Sequence, residues 1–157
     1  MKTWIAVVNR CEARLYETNE KNGVTDKKLK LVKRLENPRG RLKKQEINAD
    51  RPGAFSGSFT YSGTGLENNQ DPTERVAQIF AKSISQELDR AANEHLYDKL
   101  ILVSEPSFLG KVRAALTKKT ANIVSDTLHK DLIHVPDHDL PQFIWPRRQQ
   151  QEVELRP

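Results

Sequence analysis

Cys11 is the one thiol of this 157-residue chain, and a thiol becomes a nucleophile where His, Lys or Arg lowers its pKa. It has no such neighbour in sequence and reads as a strand-turn residue. His129, His134 and His138, with Asp131, Asp137 and Asp139, are of metal-ligating types, but Pro136 interrupts the i, i+4 geometry that would converge them. No helix-borne His-Glu motif joins them, and a solvated acidic and histidine-bearing surface is the plainer account. Two-metal nuclease chemistry needs clustered carboxylates, usually with an acid on the first strand. Lys2 to Arg10 holds no acid, which leaves Glu105 and Asp126 as surface or cap residues. Ser56, Ser58, Ser62 and Thr64 lie near glycines without a Gly-x-Ser-x-Gly elbow. Neither a P-loop nor a dinucleotide-binding glycine motif is present. No catalytic residue, metal ligand or cofactor is expected.

Residues suited to binding stand out more clearly. In Asp50-Arg51-Pro52-Gly53, Pro52 fixes φ, Gly53 permits positive φ and Asp50 accepts local backbone hydrogen bonds, so Arg51 projects. This is a structural turn or a ligand-contacting one. Ser107 is expected to cap a helix after a parallel strand, where the N–H groups between Ser107 and Gly110, with Lys111 and Arg113 close by, could receive an anion. A simple helix cap is the alternative. Lys27 to Lys44 carries nine positive charges and one acid, Glu36. Such a segment attracts phosphate or an acidic protein surface over a Debye length of about 8 to 10 Å. Arg39, Arg41, Lys43 and Lys44 are the candidate nucleic-acid contacts; a solvated strand face and loop is the bland reading.

Charge is unevenly spread along the chain. Residues 1–66 hold 14 Lys and Arg against 7 Asp and Glu, a net +7, and residues 67–157 hold 12 against 14, a net −2. The length fits one domain, able to bury about 68 to 70% of its unfolded surface without a disulfide or metal staple. At 36% hydrophobic content, however, part of the chain must lie outside the core. No apolar run approaches the roughly 20 residues that span a bilayer, so neither membrane insertion nor a secretory signal is expected. A single cysteine fits a reducing, cytoplasmic setting.

The elements that must position these residues begin with Lys2 to Asn9, a continuous apolar run suited to a central strand covered on both faces. Ala13 to Thr18 reads as a second strand. Asn22-Gly23 marks a hairpin connection, expected to exceed two residues. Lys28 to Glu36 reads as a third strand, with Leu29, Leu31, Lys33 and Leu35 on one face. Asn37 to Gln70 has no helical period, and a loop of that length points to function or disorder, since connections typically run about 4 to 6 residues. Asp71-Pro72-Thr73-Glu74 starts a long amphipathic helix to about Tyr97. Lys99 to Ser104 is a second fully apolar strand, expected parallel to the first through a right-handed crossover. A helix from Ser107, a strand from Ile123 to Leu128 and a short helix from Asp137 to Ile144 complete the order β-β-β-α-β-α-β-α. The expected fold is α/β, a five-stranded mixed sheet in the order 3-2-1-4-5 with helices packed on it. Residues 1–145 form the expected domain, with a Gly/Ser-rich loop at 37–70 and a mobile polar tail at 146–157.

Trp4 to Val8 with Asn9 and Ala13-Arg14, then Glu36-Asn37-Pro38-Arg39-Gly40-Arg41, Asp50-Arg51-Pro52-Gly53, Asp71-Pro72, and Pro106-Ser107-Phe108-Leu109-Gly110 with Arg113 and Leu116, occur in an order and spacing that resembles the bacterial host-attachment protein family. The resemblance spans Lys2 to Ile144; Ser104-Glu105 departs from the smaller, apolar approach expected before Pro106. It implies a ribonuclease H-like topology, also that of the middle domain of eukaryotic and archaeal release factors. That domain acts through a Gly-Gly-Gln loop, which this chain lacks; Gly63, Gly65 and Gln70 do not recreate its spacing. The expected function is that of a host-attachment family protein acting as a non-catalytic binding module, its partner, a protein or RNA and the ribosome, not identified by the sequence. The alternatives are a ribosome- or tRNA-associated RNA-binding protein and a degenerate hydrolase.

Overall fold

The computed structural model describes residues 1–21, 24–25, 28–41 and 71–145. Strands β1 (Lys2–Val8), β2 (Glu12–Lys21), β3 (Val24–Thr25) and β4 (Lys30–Glu36) lead into a 3-10 turn (Pro38–Arg41). Then come α1 (Pro72–Asn93), β5 (Lys99–Ser104), α2 (Pro106–Ala115), α3 (Lys118–Ile123), β6 (Val124–His129), a second 3-10 turn (Asp137–Asp139) and α4 (Leu140–Ile144). β1 pairs antiparallel with β2 from Lys2↔Asn19 to Val8↔Ala13 and parallel with β5 from Thr3↔Lys99 to Val7↔Val103. β4 takes the far side of β2, and β6 lies parallel outside β5. The five long strands thus stand in the order 3-2-1-4-5, as expected, with the two apolar runs as parallel neighbours at the centre.

The sheet is covered on both faces, which is why β1 is apolar without alternation. On one face Trp4, Ala6, Leu15, Leu100 and Leu102 pack against Phe80, Ile84 and Leu88 of α1 and Phe108 and Val112 of α2. Ser85 Oγ donates to the Val112 carbonyl at 2.9 Å, joining the two helices in the interior. On the other face Ile5, Val7, Tyr16, Ile101 and Val103 meet Leu132, Val135, Leu140 and Ile144.

Several elements differ from expectation. β2 is longer than Ala13 to Thr18, and its pairing of Lys21 with Val24 leaves only two residues in the connection. The four residues expected on one face of the third strand are divided by a bulge: Lys33 pairs with Leu15, Leu31 pairs with Tyr16, and Val32 is the extra residue between them. Leu35 consequently packs with the α1 core, whereas Leu29 packs with the Tyr16 core. A period-2 count cannot register an inserted residue, since every position beyond it changes face. α3 was not anticipated. Thr117 caps its start, the hydroxyl accepting from Thr120 N at 3.4 Å. The C-terminal helical stretch divides into a 3-10 turn and five α-helical residues around Pro141.

Candidate basic turn at the carboxyl end of the sheet

The chain leaves β1 through Asn9, whose side-chain oxygen accepts from Cys11 N at 2.8 Å and Glu12 N at 2.9 Å. Short polar side chains satisfy turn N–H groups in this way, and the reversal into β2 needs no glycine. Arg10 stands at the tip. β4 ends beside it, and Asn37 stitches the two segments together: its backbone N donates to Cys11 O at 2.8 Å and its Nδ2 to Arg10 O at 2.9 Å. Pro38 opens the 3-10 turn, and Gly40 N returns to Asn37 O at 2.9 Å. Gly40 is buried, and a Cβ there would lie 2.1 Å from Arg10 O. Only glycine lets these backbones approach so closely.

A third segment joins at the start of α1. Arg10 Nη2 donates to Thr73 O at 3.2 Å, while Asp71 caps the helix by accepting from Thr73 N at 2.9 Å and Thr73 Oγ1 at 2.7 Å. Arg10, Arg39 and Arg41 are exposed on this framework. None of the three forms an ion pair among the described residues. By contrast Lys2, Arg14, Lys33, Arg34, Arg90 and Lys111 each meet a carboxylate. Arg39 and Arg41 were expected as nucleic-acid contacts; Arg10 was not, because its proximity arises from the β1–β2 reversal and not from sequence spacing. Lys43 and Lys44 lie outside the described residues, as do Asp50, Arg51, Pro52 and Gly53.

The candidate anion position has a different occupant. α2 is capped by Glu105 and not by Ser107: Glu105 Oε2 accepts from Ser107 N at 3.0 Å and Oε1 from Phe108 N at 2.6 Å. A carboxylate of the chain itself therefore satisfies the N–H groups at the helix start. Lys111 Nζ meets Glu74 Oε2 at 2.8 Å, tying α2 to α1. Gly110 and Arg113 are exposed.

Behind the basic turn lies a charged network that the sequence reading missed. Glu12 is buried, and Nε of both Arg14 and Arg34 donates to its Oε2 at 2.7 Å. Burial pushes the Glu12 pKa upward, but these hydrogen bonds and the two positive charges outweigh it and hold the carboxyl below its ordinary range. Arg14 continues to Val135 O at 3.3 Å, and Tyr16 OH donates to Asp137 Oδ1 at 2.5 Å. Burial, reinforced by that bond to Asp137, pushes the Tyr16 pKa up to about 12. An ionised glutamate held by two guanidiniums is a structural tie: it joins β2, β4 and the C-terminal segment. Its available signal was the alternation of Glu12, Arg14 and Tyr16 on one strand face. Of the expected surface residues, His129, His134 and His138 are exposed, and no group of three His, Cys, Asp or Glu among the described residues is placed to hold a metal ion. No helix among them is long and apolar enough to cross a membrane.

A family model described as "Protein required for attachment to host cells" matches residues 4–144. A protein of Rickettsia prowazekii (strain Madrid E), named only as uncharacterized, is 31% identical over 134 residues, covering 82% of this chain and 83% of its own. Among solved structures, an archaeal translation termination factor, aRF1, aligns with 98% of this chain at 11% identity and a TM-score of 0.44. A second chain, described only as an archaeal protein, gives the same coverage, identity and TM-score. This chain spans 41% and 40% of those two, respectively. With the family model covering both sheet and helices, the chain belongs to the family of proteins described as required for attachment to host cells.

Proposed function

We propose that this chain acts as a non-catalytic binding module in the cytoplasm, engaging a macromolecular partner through the basic turn at the carboxyl end of its sheet. The observation that carries this reading is the backbone lock between Arg10 and Gly40, which fixes two turns whose Arg10, Arg39 and Arg41 are exposed and form no ion pair among the described residues. A rigid framework lowers the ordering cost of binding, because the contacting segments are already in place. The turn also lies beside the start of α1, so three chain segments support one surface.

The test is site-specific photo-crosslinking in the native cell. With the crosslinker replacing Arg39, a discrete adduct is expected; with it replacing Lys118, exposed at the opposite end of the sheet, the same adduct should be missing. Equal adducts from both positions, or none from Arg39, would remove the basic turn as the binding surface.

A further inference from the structure

We infer that Arg10, Arg39 and Arg41 form a contact surface for the phosphate backbone of a nucleic acid, an inference that rests on the binding-module reading and names its partner class. Arginine supports it chemically. The planar guanidinium offers a fixed fork of donors that matches two oxygens of one phosphate, and it remains charged at any physiological pH. The three arginines come from two turns joined by the bonds of Asn37 to Cys11 O and Arg10 O. Their Cα positions are therefore fixed relative to one another while their side chains remain exposed.

The surroundings favour a phosphate chain over a protein surface. Stable protein interfaces centre on apolar or aromatic anchors and are depleted in charge at that centre. Leu31, Val32, Ile79, Leu96, Phe143 and Met1 are the large hydrophobics exposed among the described residues, and none belongs to the 9–12 or 37–41 turn. The residues of those turns with exposed side chains are Arg10, Glu36 at the β4 end, Pro38, Arg39 and Arg41. Contacts of this type position a nucleic acid without reading its bases. Among the described residues neither turn carries an exposed aromatic ring, so the arginine contacts themselves supply no base stacking.

The experiment is a fluorescence-anisotropy titration of the full chain with a labelled single-stranded RNA of ~16 nucleotides and a DNA of the same sequence, at about 50 and 200 mM salt. Wild type is expected to bind both probes alike and to weaken with salt, with a log-log slope near −0.7 for each neutralised phosphate. The double variant Arg39→Gln/Arg41→Gln should lower affinity at least tenfold at low salt and flatten the slope by roughly 1.4. Lys118→Gln should leave both values unchanged. Circular dichroism of the variants checks that the fold is retained, and Arg39→Lys, which keeps the charge and loses the fork, should fall between wild type and the double variant. No binding by wild type at low salt overturns the inference, as does binding that the double variant retains in full. The two readings fail separately. If wild type ignores both probes while the Arg39 crosslinker still captures a discrete protein, the nucleic-acid inference falls and the binding module stands. If both experiments are blank, both fall.

Discussion

Gly40 and Arg10 touch backbone to backbone: a Cβ on Gly40 would stand 2.1 Å from the Arg10 carbonyl oxygen and 2.8 Å from its carbon. That oxygen also accepts from Asn37 Nδ2 at 2.9 Å, so it cannot retreat without breaking the bond that ties β4 to the β1–β2 reversal. The glycine fixes the distance between the arginine-bearing turns.

Gly40→Ala should therefore separate the turns. Overpacking of this kind costs about 1 to 3 kcal/mol, to be read as a lower denaturation midpoint in urea. The same variant should lose crosslinking from Arg39 even at temperatures where the core remains folded. Unchanged stability and unchanged crosslinking would show that the turns tolerate displacement.

Glu12→Gln should destabilise the fold at neutral pH by about 1 to 3 kcal/mol, because Arg14 and Arg34 lose the carboxylate that their Nε groups share. The pH dependence has a definite sign. Since the folded-state pKa of Glu12 is depressed, its contribution is complete above the ordinary glutamate value and disappears as pH falls through the folded value. Urea denaturation at neutral pH and at about pH 3 should show a larger acid loss for wild type than for Glu12→Gln. Equal losses would mean that Glu12 titrates normally. Glu87, also depressed through its bonds to Arg90 and Lys33, is common to both proteins and cancels in the comparison.

Tyr16 predicts the opposite limb. Its hydroxyl is neutral in the fold up to about 12, while the unfolded chain ionises near the ordinary value of 10.0. The group's contribution is thus fully present below the unfolded value and is lost as pH rises through the folded one. Between those values wild type should lose on the order of 2 kcal/mol on this account. Tyr16→Phe removes the titration, along with the hydrogen bond to Asp137, and should show a shallower alkaline decline from a lower starting stability. Parallel declines in the two proteins would place the alkaline sensitivity elsewhere.

The central fold was legible because burial on both faces leaves an unmistakable pattern: Trp4 to Val8 and Leu100 to Val103 are continuous apolar runs, and both are inner strands. The start of α1 was equally legible, since Asp71 and Pro72 are local signals whose bonds close within two residues. Apart from α3 and the Glu105 cap, whose bonds are local, what escaped depended on an inserted residue or on distant partners. Val32 shifts the register of β4 without any mark of composition. Glu12 looks like one acid in a strand until Arg34, 22 residues away, shares its oxygen. Arg10 joins Arg39 and Arg41 only through a non-local contact at Gly40. Within the site, Asn37-Pro38-Arg39-Gly40-Arg41 was visible as a motif, whereas the face it meets was not.

Leu102 provides the test of the central-sheet assignment. It is fully buried on β5 beside Ala6 of β1, in the core shared with α1. Leu102→Asp should cost several kcal/mol, because it buries an unpaired carboxylate or opens the core. Soluble protein with a wild-type unfolding midpoint would be incompatible with that position.

Glu105 offers the sharpest test of anion binding at the start of α2. Its two oxygens accept from Ser107 N and Phe108 N, the same donors that would hold an external anion there. Glu105→Ala should cost about 0.5 to 2 kcal/mol through loss of the cap, and it should leave those donors open to a dissolved anion. Adding sulfate ought then to restore part of the lost stability in the variant, beyond the general salt effect seen in wild type. Chloride at matched ionic strength separates specific occupancy from screening. If wild type gains as much from sulfate as the variant does, an anion binds near Ser107, Lys111 and Arg113 despite the cap, and the carboxylate is not its competitor. If only the variant responds, Glu105 is the anion of this helix, and the exposed arginines at the Arg10–Gly40 lock are the place at this end of the sheet where an external phosphate should be sought.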